Sequence, residues 1–268
     1  TICGVPNISD VHSLSVLLNE LGVAVKKQSD DIIIIDPTEM ENRPMVSESV
    51  SKLRASYYFM GALLGKYGKV EMKMPGGCYL GPRPIDLHLK GFEALGASVT
   101  YEKGCYIIEA KELVGNKIFL DISSVGATIN IMMAAVYARG RTTIENAAKE
   151  PEIIDIATML NKMGAHIRGM GTSVITIDGV DRLMGCYHEI IPDRIEAATY
   201  VVLAAAAADE MVIENIIPQH LDALLMKLDE IGIEMEVEVD RVRVHGMRGS
   251  LKGTAIKTKP YPGFATDI

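Results

Sequence analysis

Three segments of the chain are apolar or small at nearly every position, a pattern typical of helices that are buried on all sides. They run from Arg54 to Leu64, from Gly126 to Val136 and from Arg194 to Ala205, and they begin at intervals of about 70 residues. A water-soluble protein can bury such helices only if other elements surround them. The pattern therefore predicts inner helices with the remaining elements outside them.

A second pattern recurs at the same interval: a helix that ends in an apolar residue and a glycine, followed by two short runs typical of strands. We expect each glycine to adopt the left-handed conformation that ends a helix, and each pair of runs to form a hairpin, as at 99–101 and 106–108. The glycines are Gly22, Gly96, Gly164 and Gly232. Near the start of each helix lies an aspartate that can cap free N–H groups and meet the positive end of the helix dipole. These are Asp10, Asp86, Asp155 and Asp222.

Together the two patterns define a repeating unit of buried helix, strand, half-exposed helix and hairpin. The fold class is therefore α/β, with repeated units whose sheets lie outside a bundle of buried helices. The starts of the inner helices, marked by Arg54, by Ser124 to Gly126 and by Arg194, should converge. Because helix N-termini attract anions, we expect the substrate to bind where they meet.

Composition restricts the class of protein and of partner. The 268 residues are 48% hydrophobic and 23% charged, which suits one large or two ordinary globular domains. The net charge of −8 argues against nucleic acid as the main partner, although a local basic pocket for a small phosphate ligand is compatible with it. The sequence has neither the pattern of a signal peptide nor an apolar run suited to crossing a bilayer, so we expect no membrane partner.

The four cysteines form no CxxC pair, and no histidine has the spacing of a zinc site. We therefore expect reduced thiols in a cytoplasmic protein that holds neither a metal nor another cofactor. Cys78 lies within PGGCYLGPRP at 75–84, where three glycines and three prolines predict a loop. A positive neighbour such as Arg83 favours the thiolate and raises cysteine reactivity. The alternative is a surface turn with an incidental cysteine.

Four motifs resemble those of the UDP-N-acetylglucosamine 1-carboxyvinyltransferases, the bacterial enolpyruvyl transferases that open peptidoglycan precursor synthesis. They are PGGC with GPRPIDLH at 75–88, SVGAT at 124–128, ENAAKEPE at 145–152 and PDRIE at 192–196. The resemblance covers the whole chain and implies an inside-out α/β barrel, with three repeated units in each of two domains. It divides the chain into a first domain at 1–191, which carries the loop and lacks its first helix, and the beginning of a second domain at 192–268.

The resemblance also implies a partial chain, since family members begin before these residues and continue beyond them. We therefore expect the 268 residues alone to bind the sugar nucleotide weakly and to show no measurable transfer. Apolar surface on the Arg194 helix would be left uncovered, which favours self-association.

The reaction implied by the resemblance transfers the enolpyruvyl group of phosphoenolpyruvate to the 3′-hydroxyl of UDP-N-acetylglucosamine and releases phosphate. This step would serve cell wall biogenesis, and through it cell shape and division. Cys78 matches the family's loop cysteine, a general acid that can add covalently to phosphoenolpyruvate, and Asp267 matches the carboxylate that takes the hydroxyl proton. Arg54 and Arg83 match guanidiniums that bind the phosphate and carboxylate of phosphoenolpyruvate, and Arg194 would join them.

The nucleotide would be bound by two further segments that match the family. The uridine would be contacted by Pro84, Ile85, Asp86 and Leu87. The diphosphate would be bound by the backbone N–H groups of Ser124, Val125 and Gly126. Glu150 and Glu196 are candidate partners of the sugar or of the arginines, with a solvated role at a helix start as the alternative. His88 also matches the family, with packing or capping as the alternative.

Two other functions compete with this one. A shikimate-type enolpyruvyl transferase shares the repeated fold, but the cysteine motif and the nucleotide segment disfavour it. A non-catalytic module that binds sugar nucleotides is the alternative from a different functional class, and measured turnover would separate it from an enzyme.

Overall fold

A computed structural model describes residues 1–74, 76, 85–246, 249 and 251–265. The chain divides into two compact units, of which the first comprises Thr1–Ala148 with Glu152–Ile190 and the second Lys149–Pro151 with Ile191–Ile268. Each unit has a hydrophobic core of its own.

The first unit alternates helices with short strands. Its helices are α1 (Ser9–Glu20), α2 (Glu48–Lys52), α3 (Tyr58–Tyr67), α4 (Asp86–Ala94), α5 (Val125–Ala135) and α6 (Pro151–Lys162, whose first residue falls in the second unit), with a 3-10 turn at Arg54–Tyr57 leading into α3. Its strands are β1 (Ile2–Cys3), β2 (Ala24–Lys27), β3 (Ile32–Asp36), β4 (Lys69–Lys73), β5 (Ser98–Glu102), β6 (Cys105–Glu109), β7 (Lys117–Phe119), β8 (Arg141–Glu145), β9 (His166–Arg168), β10 (Val174–Asp178) and β11 (His188–Glu189).

The sheets of the first unit repeat one arrangement, in which the second strand of a hairpin lies between its partner and an earlier strand. Their orders are β4-β6-β5, β7-β8-β10-β9 and β11-β1-β3-β2. The pairs β7 with β8 and β11 with β1 are parallel, and the other pairs are antiparallel. Because β1 is the first strand of the unit and β11 the last, their pairing joins its two ends.

The second unit repeats the same layout once. Its elements are α7 (Arg194–Ala207), β12 (Glu210–Glu214), a 3-10 turn at Pro218–Leu221, α8 (Asp222–Ile231), β13 (Met235–Val237) and β14 (Arg241–His245). The sheet order β12-β14-β13 matches β4-β6-β5 of the first unit. The predicted α/β class and the internal repeat are therefore confirmed, whereas no sheet closes on itself within the described ranges, so the closed inside-out barrel is not.

The four repeated glycines end their helices in the left-handed conformation, as predicted. Their φ angles are +83° at Gly22, +95° at Gly96, +104° at Gly164 and +101° at Gly232. A residue with a β-carbon is strained at such angles, which explains why the sequence signal recurs at this position of every repeat. The hairpins that follow are also found, for example β5 with β6.

The prediction that the four aspartates cap free N–H groups is wrong for α1, α4 and α8. Helices α1, α4 and α8 have no side-chain hydrogen bond at the N-cap, because Asp10, Asp86 and Asp222 lie inside the first turn and a capping residue must precede it. They still meet the positive end of the dipole. Asp155 lies further inside α6, and its Oδ1 is 3.0 Å from Nε2 of the buried His188.

Burial of the inner helices differs between the two units. In α5 most side chains are buried, and in α3 the buried residues run from Phe59 to Leu64 with a break at Ala62. In α7, Tyr200 is 48% exposed and Leu203 is 49% exposed, so this helix is not buried on all sides, and the uncovered apolar surface expected on the Arg194 helix is found. The described part of the second unit offers one sheet and α8 to cover α7, which leaves an apolar strip facing outward. Self-association through this strip stays a prediction.

Small residues allow α3 to lie close to α5. The backbone N–H of Gly61 donates to Oδ1 of Asn130 at 2.7 Å, and a β-carbon at Gly61 would overlap the backbone oxygen of Asn130. The same applies at Gly65, where a β-carbon would lie 2.9 Å from the backbone oxygen of Met133.

Among the described residues, no helix combines the length and the hydrophobicity needed to cross a membrane.

Candidate functional site

The starts of three helices meet in the first unit. Tyr57, which precedes α3, and His88 in the first turn of α4 both lie against Gly126 at the start of α5. A β-carbon at Gly126 would be 2.8 Å from the Tyr57 hydroxyl oxygen and 3.1 Å from Cε1 of His88. The predicted convergence is therefore found for the inner helices α3 and α5, with α4 beside them, and Gly126 is needed there because larger residues would displace the two rings.

Arg54 belongs to the same cluster. Its guanidinium carbon lies 5.6 Å from the centre of the Tyr57 ring, a cation–π distance. The Tyr57 ring meets the His88 ring edge to face with centres 4.9 Å apart, and it contacts Tyr58 at 4.5 Å. The arginine predicted to bind an anion thus lies at the convergence of the helix starts.

The first turn of helix α5 presents backbone donors to this cluster that have no partner within the described part of the chain. Its N-cap is Ser124, whose Oγ accepts the N–H of Ala127 at 3.3 Å. The N–H groups of Val125 and Gly126 belong to the first turn, where a helix supplies no carbonyl partner of its own. Together with the positive end of the helix dipole, these groups can bind an oxygen of an anionic ligand.

The segment predicted to contact the uridine enters α4. Ile85 is the N-cap of α4 and its side chain is buried in the core, so only its backbone can contact a ligand. Asp86 is exposed at the first helical position, and Leu87 is half-buried against the core. Of these three residues, Asp86 is therefore the one with an accessible side chain.

Sequence reasoning missed Asn130, which organises the cluster from within α5. This asparagine is fully buried; its Oδ1 accepts the Gly61 N–H, and its Nδ2 lies 2.9 Å from both the Tyr57 carbonyl oxygen and Nδ1 of His88. Tyr57 was missed as well. For Asn130 the sequence did contain a signal, since its amide lies between two isoleucines in an otherwise apolar helix. A buried amide requires hydrogen-bond partners, so such a residue indicates a polar contact inside the core.

His88 is held neutral at physiological pH. Its pKa is lowered to about 4, mainly by burial and also by the nearby charge of Arg54, while the carboxylate of Asp86 opposes the shift. Protonation would place a positive charge in a desolvated position beside a guanidinium. The His88 ring packs against Tyr57 and also lies beside Gly126 at the start of α5. Packing and a role at the helix starts are therefore compatible for this residue.

Arg194 lies in the second unit as the first residue of α7. Asp193 caps this helix, with Oδ1 accepting the N–H of Ile195 at 2.8 Å and of Glu196 at 3.2 Å. The guanidinium carbon of Arg194 is 5.4 Å from the centre of the Tyr261 ring.

The two candidate glutamates differ in exposure. Glu196 is exposed on α7, which favours the alternative of a solvated role at a helix start. Glu150 is buried, and its carboxylate accepts the backbone N–H of Lys149.

Several predicted site residues lie outside the described ranges. They are Cys78, Arg83, Pro84 and Asp267. The acid, the base and the second arginine of the predicted chemistry are therefore tested by mutation and labelling rather than by geometry.

Comparison with known sequences gives matches along the whole chain. A family model described as "EPSP synthase (3-phosphoshikimate 1-carboxyvinyltransferase)" matches residues 1–268. Proteins named UDP-N-acetylglucosamine 1-carboxyvinyltransferase 2 are 58% identical in Bacillus cereus and 56% identical in Geobacillus kaustophilus, over all 268 residues. The protein of the same name from Listeria monocytogenes is 57% identical over 265 residues. The chain spans 62% of the length of each of these relatives.

Solved structures share the fold at low identity. The enolpyruvyl transferase NikO from Streptomyces tendae superposes with a TM-score of 0.82 at 22% identity, covering 94% of this chain and 61% of that one. EPSP synthase from Acinetobacter baumannii gives a TM-score of 0.69 at 20% identity, covering 94% of this chain and 60% of that one. At these identities the likeness establishes the fold alone.

Proposed function

Because this chain belongs to the EPSP synthase family, we propose that it transfers the enolpyruvyl group of phosphoenolpyruvate to the 3′-hydroxyl of UDP-N-acetylglucosamine and releases phosphate. The observation that carries the proposal is the 58% identity over all 268 residues to proteins named for that acceptor. The family also contains enzymes named for 3-phosphoshikimate, so the acceptor is the point that a test must decide.

The cluster at the helix starts supports binding of such ligands. Both substrates carry phosphate, and the first unit brings Arg54 together with the first-turn N–H groups of Val125 and Gly126. A guanidinium and a helix N-terminus each favour phosphoryl oxygens. Water exclusion by the buried His88 ring and the half-buried tyrosine rings of the cluster would strengthen these interactions.

The chemistry proposed is an addition followed by an elimination. Cys78, as general acid, protonates the methylene carbon of phosphoenolpyruvate while the sugar hydroxyl oxygen bonds to its C2 atom and Asp267 takes the hydroxyl proton. The tetrahedral adduct then loses a proton from the new methyl group and breaks the bond between C2 and the phosphate oxygen, which restores the double bond. Arg83, Arg54 and Arg194 would stabilise the phosphate and carboxylate charges.

The nucleotide would lie along the start of α4 and α5. Pro84 to Leu87 would contact the uridine, with Ile85 contributing its backbone, and Ser124 to Gly126 would bind the diphosphate. We further propose the family architecture of an inside-out α/β barrel, with domains at 1–191 and 192–268. A cytoplasmic role in cell wall synthesis, and through it in cell shape and division, follows from the same assignment.

An acceptor assay tests this proposal on a protein of the full length of its relatives. We expect phosphate release to require both phosphoenolpyruvate and UDP-N-acetylglucosamine, and to stay at background with 3-phosphoshikimate as acceptor. Turnover with 3-phosphoshikimate instead would make the protein a shikimate-type enzyme. Binding of UDP-N-acetylglucosamine without release of phosphate would identify a non-catalytic module.

A further inference from the structure

The orientation of the Asn130 side chain is fixed by two backbone groups. The N–H of Gly61 can only donate, so the atom 2.7 Å away must be the amide oxygen Oδ1. The carbonyl of Tyr57 can only accept, so the atom 2.9 Å from it must be the amide nitrogen Nδ2. Both partners require the same orientation, and the fully buried asparagine has no water with which to exchange them.

This orientation determines which nitrogen of His88 carries the proton. The atom 2.9 Å from Nδ1 is the Asn130 amide nitrogen, which donates and cannot accept. Nδ1 must therefore be the acceptor, and the neutral imidazole carries its hydrogen on Nε2. Burial and the charge of Arg54 favour the same neutral form, against the carboxylate of Asp86, while the Tyr57 ring covers one side of the imidazole.

The Nε2–H group of His88 lies near the start of α5. Asn130 and Gly126 are four residues apart and share a face of that helix. Nδ1 of His88 lies at Asn130 and Cε1 lies beside Gly126, and Nε2 is bonded to Cε1, so Nε2 is one bond away from the atom that meets the first turn of α5. The His88 residue is only 6% exposed, and within the described ranges Nε2 has no hydrogen-bond acceptor.

We propose that Asn130 is a positioning residue that fixes His88 as the Nε2–H tautomer, and that this neutral donor binds a phosphoryl oxygen of the sugar nucleotide at the start of α5. The identity of the ligand rests on the proposed function, whereas the tautomer does not. A neutral donor with one fixed hydrogen can bind the oxygen without a proton being taken up or released. It adds a neutral donor to the charged guanidinium of Arg54.

The tautomer is tested without any ligand by nitrogen-15 NMR of the histidine rings, with the His88 signals assigned by their loss in His88→Gln. We expect Nε2 to show the shift of a protonated ring nitrogen and Nδ1 that of an unprotonated one between pH 5 and 8. The opposite assignment, or the exchanging mixture typical of a free imidazole, would overturn the inference.

Asn130→Asp provides the matched variant for the positioning role, because it conserves shape and replaces the donor with an acceptor. One oxygen can still accept the Gly61 N–H, and the other would now accept from Nδ1 of His88, while the Tyr57 carbonyl oxygen loses its donor. We expect the NMR signals to show a proton on Nδ1 and the pKa of His88 to rise. Unchanged ring signals would mean that Asn130 does not determine the tautomer.

Two substitutions of His88 test the donor itself, with UDP-N-acetylglucosamine as the titrated ligand. The glutamine amide nitrogen takes roughly the place of Nε2, whereas the asparagine amide nitrogen takes that of Nδ1. We expect His88→Gln to bind within about threefold of the wild type and His88→Asn to bind about tenfold more weakly or worse. Circular dichroism of both variants checks that they are folded.

The outcomes separate the inference from the proposed function. Equal weakening in His88→Gln and His88→Asn would overturn the donor role while leaving the proposed function intact. A wild-type protein that does not bind UDP-N-acetylglucosamine would overturn the ligand assignment, and the NMR result would still decide the tautomer.

Discussion

Replacing Cys78 with serine is expected to lower the turnover number of the full-length protein by about 100- to 10,000-fold, the usual contribution of general acid–base catalysis. A serine hydroxyl is far too weak an acid to protonate the methylene carbon of phosphoenolpyruvate. Cys78→Asp should retain a clearly larger share of activity, because a carboxyl group can donate a proton. Steady-state rates of phosphate release measure both variants, and equal loss in the two would contradict the general-acid role.

The remaining thiols provide the control for this prediction. Cys3 is buried and Cys105 and Cys186 are half-buried, so an epoxide-phosphonate analogue of phosphoenolpyruvate should label Cys78 before any of them. Cys105→Ala, in strand β6, should leave turnover unchanged. Peptide mapping that finds one of these three cysteines labelled first would contradict the assignment of the reactive thiol.

Gly61→Ala is expected to destabilise the first unit by about 1–3 kcal/mol, although alanine is the better helix former. Helix propensity alone would favour alanine by about 1 kcal/mol. The new methyl group would, however, overlap both the backbone oxygen and Oδ1 of Asn130, and backbone atoms in a helix contact cannot move aside. Overpacking therefore outweighs propensity, and the melting temperature should fall by roughly 2–12 °C.

Gly185→Ala is the matched control, since a β-carbon at this glycine meets nothing within 4 Å and its φ angle is unremarkable. It should change the melting temperature by no more than a degree or two. A Gly61→Ala variant as stable as this control would show that α3 does not depend on close contact with α5 at that position.

The repeating architecture could be predicted from the sequence because its signals are local. A left-handed glycine at each helix end and a run of small apolar residues in each inner helix depend on the backbone and on burial, and both recur along the chain. The caps at Asp10, Asp86 and Asp222 failed because each aspartate lies only one or two residues after its N-cap, a displacement that spacing alone does not resolve.

The contacts within the candidate site could be predicted only in part. Arg54 and Gly126 were expected to converge because both mark helix starts, and the structure places both against Tyr57, with Arg54 over its ring and Gly126 at its hydroxyl. The role of Asn130 depends on partners 42 to 73 residues away in the sequence, which no local pattern reveals. Exposure of α7 likewise depends on which elements surround it, which the apolar composition of the helix does not show by itself.

The fate of one oxygen atom tests the central claim most directly. Phosphoenolpyruvate labelled with oxygen-18 in the bridge between C2 and phosphorus is incubated with UDP-N-acetylglucosamine and the full-length protein, and the products are analysed by mass spectrometry. Addition and elimination predict that the label leaves in the phosphate and that the sugar nucleotide gains an unlabelled enolpyruvyl group. Label found in pyruvate, with no enolpyruvyl group on the sugar nucleotide, would contradict the account.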